Sequence, residues 1–141
     1  MLVDVVAKGG NLMLNIGPGP DGTWHDAAYD RLAALGAWMK VHQASIYGTK
    51  PLGQSLEGKF RFTQSKDGTG WVTYLAAEGE AMPRELTVTT LALPKGATIT
   101  LLGANRTIPW VAAGSGFTMR IPAGVGAPNA DAWVFRISKL R

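Results

Sequence analysis

The spacing of apolar residues changes from a helical to a strand period near residue 58. From Asp26 to Val41, Tyr29, Leu32, Leu35, Trp38 and Met39 recur three or four residues apart, with Asp30, Arg31 and Lys40 off that stripe. This period predicts one amphipathic helix. Thr23 followed three residues later by Asp26 predicts a capping box, and Asp26 and Asp30 near the start with Lys40 near the end suit the helix dipole. Leu2, Val3, Val5 and Val6, followed by Lys8 and Gly9-Gly10, predict the last turns of a preceding helix with a basic C-terminus and a glycine cap. Between the two helices, Leu12-Met13-Leu14-Asn15-Ile16 is a nearly continuous apolar run stopped by Gly17-Pro18. Such a run predicts a strand buried on both faces of a parallel sheet, which needs helices on its flanks. The chain is therefore expected to open in mid-architecture.

After a polar, glycine-rich passage from Lys50 to Gly58, apolar residues alternate with polar ones. Phe60 and Phe62, then Trp71, Thr73 and Leu75, then Leu86 and Val88 mark the first strands. Ile99 and Leu101, then Phe117, Met119 and Ile121, then Trp133, Phe135 and Ile137 continue the series. Lys66-Asp67-Gly68 and Pro94-Lys95-Gly96 supply turns between them. Six or more short strands with this punctuation predict an antiparallel sandwich. Trp71 with Leu75, and Trp133 with Phe135 and Ile137, are expected to face inward; Tyr74 and Trp110 are less constrained.

Composition narrows the chemistry. The 141 residues carry a net charge of +4, 46% are apolar and none is cysteine, which removes disulfides, thiolate metal sites and cysteine nucleophiles. No segment reaches the roughly 18 uninterrupted apolar residues of a bilayer span, and Met1-Leu2-Val3-Asp4 lacks the basic start of a signal peptide, so no membrane span is expected and the compartment stays open. The 14 lysines and arginines are scattered without a run of three, so no nucleic-acid partner is expected.

Gly17, Gly19 and Gly22 spell a G-x-G-x-x-G between an apolar run and a helix. A dinucleotide loop needs free backbone N–H groups at its turn and an acidic residue about 20 positions on for the ribose. Pro18 and Pro20 lack those hydrogens, residues 37 to 42 offer no carboxylate, and no Gly-Lys-Ser/Thr follows as in a P-loop. The stretch is instead a strand exit in which glycines and prolines reverse the chain, with Asp21-Gly22 as a turn.

The order helix end, Gly-Gly, apolar strand, Asn-Ile-Gly-Pro, Pro-Asp-Gly-Thr and amphipathic helix resembles the α-L-fucosidases of glycoside hydrolase family 29. Val3-Asp4-Val5-Val6 with Lys8 through Pro18 is similar to the passage ending in the last strand of that family's (β/α)8-like catalytic barrel. Asp21-Gly22-Thr23 and Ile46-Tyr47-Gly48-Thr49 resemble the passages on either side of the helix that follows. Beyond residue 58 the resemblance rests on order and architecture, since those enzymes carry a C-terminal β-sandwich after the barrel. It implies a mainly β chain in which residues 1–50 are one strand-helix unit left from a (β/α)8-like barrel and residues 51–141 are a C-terminal antiparallel β-sandwich.

The resemblance also sets expectations about function. The parent enzyme is a retaining hydrolase of terminal α-L-fucosyl linkages in glycans, its nucleophile and acid/base carboxylates lie on earlier barrel elements, and no catalytic residue is carried over to this chain. Alone it is expected to be inactive and to need no cofactor or metal. The missing N-terminal barrel portion, in cis or in trans, is the expected partner, with self-association as an alternative, because an apolar strand with two open edges seeks company. At the C-terminal end of a barrel strand, Asn15, Gly17 and Pro18 are candidates for the substrate-proximal rim. Tyr74 and Trp110 are candidates for a sugar-stacking platform, the basis of a second reading as a carbohydrate-binding or interaction module. Glu78 and Glu80 are read as an exposed turn, not a catalytic pair; Asp21, His25 and Asp26 are read as capping and solvated groups at a helix N-terminus, and His42, seventeen positions from His25, has no third ligand at suitable spacing, so no metal site is expected.

Overall fold

A computed structural model describes residues 1–138 and residue 140. Helix α1 (Leu2–Ala7) ends in a backbone cap at Lys8 and turns at Gly9, whose φ of +82° favours glycine. Helix α2 (Asp26–His42) runs into a single 310 turn at Gln43–Ser45. Nine strands follow: β1 (Thr49–Glu57), β2 (Phe60–Ser65), β3 (Gly70–Leu75), β4 (Glu85–Val88), β5 (Ile99–Leu101), β6 (Arg106–Ile108), β7 (Trp110–Ala113), β8 (Gly116–Arg120) and β9 (Ala132–Ile137).

The strands form two antiparallel sheets, ordered β1-β2-β3-β9-β5-β6 and β4-β8-β7. The chain crosses from one to the other between β6 and β7, where Pro109 interrupts the ladder because it has no N–H to donate. Its carbonyl still accepts from Arg120 N–H at 2.8 Å, which seats β7 beside β8. Between the sheets lie Phe62, Val72, Val88, Ile99, Leu101, Phe117, Met119, Trp133, Phe135 and Ile137, all buried. Alternation along each strand sends these side chains to one face, so the period-two reading and the observed mainly β sandwich agree.

One face assignment is corrected. On β3 the inward residues are Val72 and Tyr74; Trp71 is buried but lies outside the core cluster, its indole N–H donating to Ser65 Oγ at 2.7 Å, and Leu75 is half-buried. The register explains this, since Val72 pairs with Phe135 and Tyr74 with Trp133 across β9. Strands β2 and β3 are buried on both faces, and α1 and the 310 turn pack on the outer face of β2. Val3 and Ala7 of α1 are buried there, and Thr63 Oγ1 donates to the Ser45 carbonyl at 3.0 Å.

Three further expectations are revised. The polar, glycine-rich passage from Lys50 to Gly58 holds edge strand β1, irregular between Pro51 and Leu56. An edge strand tolerates a proline and a bulge, and these hide its alternation. The capping box is absent: His25 is the N-cap of α2 without a side-chain bond, and Thr23 instead bonds Asp21. Residues 11–19 form no ladder with any described residue. A strand exists only through its neighbours, and an apolar run without them stays irregular.

Candidate functional site

The rim candidates sit on the segment between the helices. Asn15, Gly17 and Pro18 are exposed, and an added Cβ at Gly17 would meet nothing within 4 Å. The turn after them is tightly built. Gly19 N–H donates to the Thr23 carbonyl at 2.6 Å, and Asp21 Oδ1 accepts from the Thr23 hydroxyl at 2.8 Å and the Thr23 N–H at 3.1 Å. The Thr23 hydroxyl and N–H hold the Asp21 carboxyl below its ordinary range. This carboxylate organises a turn.

Beside this segment lies a groove of about 430 Å³ between α1, α2, residues 9–14 and residues 46–49. Leu2, Val6, Leu12, Leu14, Leu35 and Met39 line it, and no acidic side chain does. Apolar exposure is concentrated on the same part of the chain: Met13 is 82% exposed, Tyr47 68% and Leu14 49%. Of the 17 residues of α2, only His42 is buried. An apolar stripe left half-uncovered along a helix is an unfilled packing surface.

Three tethers fix this segment to the sandwich. Arg61 Nε donates to Asp4 Oδ1, Trp38 Nε1 donates to the Ala132 carbonyl at 3.2 Å, and Thr63 bonds Ser45 as described. The Lys8 ammonium and then the Arg61 guanidinium lower the Asp4 pKa, against a smaller effect of burial.

The aromatic candidates are not brought together. Tyr74 is on β3 of the larger sheet, buried, stacked on Trp133 at 5.1 Å between centroids and edge-on to Phe60 at 5.2 Å. Trp110 is on β7 of the smaller sheet, edge-on to Phe117, with its indole N–H donating to the Ala97 carbonyl at 2.9 Å. A sugar-stacking platform needs a ring face open to solvent, and protein groups occupy Tyr74.

Nor do Glu78 and Glu80 form an acid/base pair. Glu80 accepts from Lys59 Nζ at 2.6 Å, Ala77 N–H at 2.6 Å and the Tyr74 hydroxyl at 2.7 Å, and these three donors lower its pKa to about 2. A proton donor at neutral pH requires the opposite shift. Glu57 is likewise structural. Burial raises its pKa, but donors from Thr90 and Thr89 outweigh that and leave it lowered, so its carboxylate clasps the loop after β4. Among the described residues no group of three His, Cys, Asp or Glu is placed to hold a metal ion.

The family model described as Alpha-L-fucosidase matches residues 1–44, which hold α1, the segment between the helices and all of α2. The α-L-fucosidase of Branchiostoma floridae is 32% identical over 146 aligned residues, covering 97% of this chain and 31% of that protein. The chain belongs to the α-L-fucosidase family. Human plasma α-L-fucosidase is 48% identical over 48 residues, 34% of this chain and 10% of that protein. Among solved structures, Thermotoga maritima α-fucosidase in complex with fucose superposes with a TM-score of 0.77 at 27% identity, over 96% of this chain and 32% of that one. This α-L-fucosidase segment thus spans about a third of the length of the relatives it matches. Among its described residues no helix is long and apolar enough to cross a membrane.

Proposed function

We propose that this chain is the barrel-closing and sandwich part of a retaining α-L-fucosidase that hydrolyses terminal α-L-fucosyl linkages in glycans. Residues 1–50 belong to the catalytic barrel, residues 51–141 form the C-terminal sandwich, and the rest of the barrel is the partner. The observation that carries this reading is the apolar groove beside α1 and α2, continuous with the unpaired run Leu12–Ile16. Both surfaces are what a barrel strand and its helix leave open when neighbouring strands and helices are not packed on them.

In this reading the segment shapes the site and does not perform the chemistry. A retaining hydrolase needs two carboxyl groups about 5 Å apart. Of the acidic side chains here, Asp4, Asp21, Glu57, Asp67 and Glu80 are committed to local hydrogen bonds. Asn15, Gly17 and Pro18 would contribute a rim beside the sugar, with Asn15 offering an amide to a hydroxyl or to a neighbouring strand.

The test is complementation. The purified chain should leave an aryl α-L-fucoside intact, and mixing it with the separately produced remainder of the barrel should give hydrolysis. Hydrolysis by the chain alone, with contaminating enzyme excluded, would overturn the assignment of both carboxyl groups to other strands.

A further inference from the structure

Helix α1 has only six residues, well short of the roughly 12–15 that an isolated helix needs, so its position is set by what it packs on. That support is the sandwich. Val3 and Ala7 are buried where α1 meets β1 and β2. At the helix end Gly10 N–H donates to the Val5 carbonyl and Gly9 N–H to the Val6 carbonyl, both at 2.9 Å. This pair of bonds is the Schellman closure, with Gly9 as its left-handed residue at φ +82°. A Cβ added at Gly9 would lie 3.3 Å from Pro51 Cγ, so the closing turn rests on edge strand β1.

Arg61 is the polar half of the same seat. It points away from the core on β2, between the inward Phe60 and Phe62. Its Nη1 donates to the Gly58 and Phe60 carbonyls, each at 2.8 Å, which anchors the guanidinium to the turn joining β1 and β2. Its Nε then donates to Asp4 Oδ1 at 2.5 Å, while Lys8 Nζ takes Asp4 Oδ2 at 2.6 Å. Only 16% of the Arg61 side chain and 27% of the Asp4 side chain are exposed, so salt screens this pair less than an open one.

The run Leu12–Ile16 begins two residues after this closure. Five steps of extended chain, about 17 Å at roughly 3.3 Å each, lead from Gly10 to Asn15. A shift of one residue along a strand turns every side chain to the opposite face, so the point at which the strand begins decides where Asn15 aims. We propose that Arg61 of the sandwich is a positioning residue: through Asp4 it fixes the start of the last barrel strand and thereby aims the Asn15 rim at the sugar. The inference rests on the barrel reading above.

Two experiments on the full chain test it. In the chain alone, Arg61→Ala should speed hydrogen exchange at the Gly9 and Gly10 amides about tenfold, as loss of a charged hydrogen bond does, with the β9 amides unchanged as the check on a folded sandwich. Unchanged exchange at Gly9 and Gly10 would overturn the proposal. With the remaining barrel added to saturation, Arg61→Ala and Asp4→Ala should each lower kcat on an aryl α-L-fucoside about tenfold, the scale of a misplaced site, and the double variant should be no worse than either. A pair that only stabilises the fold would leave kcat unchanged once the barrel is saturated, and that result beside an active unsubstituted chain would overturn this proposal alone. Absence of hydrolysis with the unsubstituted chain would instead overturn the barrel reading and the rim with it.

Discussion

The first 48 residues and the sandwich treat apolar surface in opposite ways. Seven of the eight exposed large hydrophobic residues lie in the first 47 positions, and the sandwich contributes only Val111. The sandwich buries Trp133, Phe62, Phe117 and Phe135 almost completely. The first region is the more apolar in composition, 25 of 48 residues against 40 of the remaining 93, yet it leaves more of its large hydrophobic side chains exposed. What separates them is whether the chain carries the partner surface: two sheets facing each other complete a core, whereas one helix and one unpaired apolar run do not. The sandwich closes a core of its own, whereas the first segment leaves an apolar face open and is seated on β1 and β2 by Val3 and Ala7 of α1 together with a few polar contacts.

The largest expected effects test the finished side. Phe135→Ala should cost about 4 kcal/mol, the ordinary penalty of emptying a large core site, read as a lower denaturant midpoint. Gly116→Ala should cost about 3 kcal/mol, because a Cβ there would sit 1.9 Å from the Val88 carbonyl oxygen and the backbones of β4 and β8 would have to separate. An alanine tolerated at residue 116 would show that β4 and β8 do not approach so closely.

Intermediate effects come from the boundary between the regions and from the strand turns. Burial lowers the pKa of His42, with only partial compensation from the Trp38 carbonyl. The unfolded chain then binds more protons than the folded one just below the ordinary imidazole value of about 6.5. Stability is therefore full above that pH and declines as pH falls through it towards the depressed folded value. His42→Gln should flatten this slope in a pH series of urea midpoints. Glu80 acts in a lower window. Its contribution is present above the ordinary carboxyl value of about 4.3 and is lost as pH falls towards about 2, so Glu80→Gln should shorten the acid limb.

The smallest effect on stability belongs to the unfinished side. Leu14→Ser, at a half-exposed position, should change the denaturant midpoint by less than about 0.5 kcal/mol. The same substitution should weaken complementation by the remaining barrel strongly, because its cost appears only when the groove is covered. A large stability loss without that partner would mean that the groove is already packed.

The strands that alternate over a buried face, β2, β3, β4, β5, β8 and β9, were legible from period alone, and so was α2 from its stripe. Strand β1 was hidden by Pro51 and Gly53 at a sheet edge, where pairing on one side relaxes the need for alternation. Strands β6 and β7, on either side of Pro109, bury only Ile108 between them, so Arg106-Thr107-Ile108 and Trp110-Val111-Ala112-Ala113 show no alternation. The inward face of β3 was misread because both faces are buried, so Trp71 and Val72 look equally interior in sequence. Asp4 and Arg61 lie 57 positions apart and carry no shared motif, and only the packing of α1 on β2 brings them together.

Hydrogen exchange at the backbone amides of Leu12–Ile16, with and without the remaining barrel portion, tests the open first segment most directly. Rapid exchange is expected in the chain alone, and strong protection once the barrel is complete and hydrolysis appears. Protection already present in the monomeric chain, or hydrolysis restored with these amides still unprotected, would contradict this expectation.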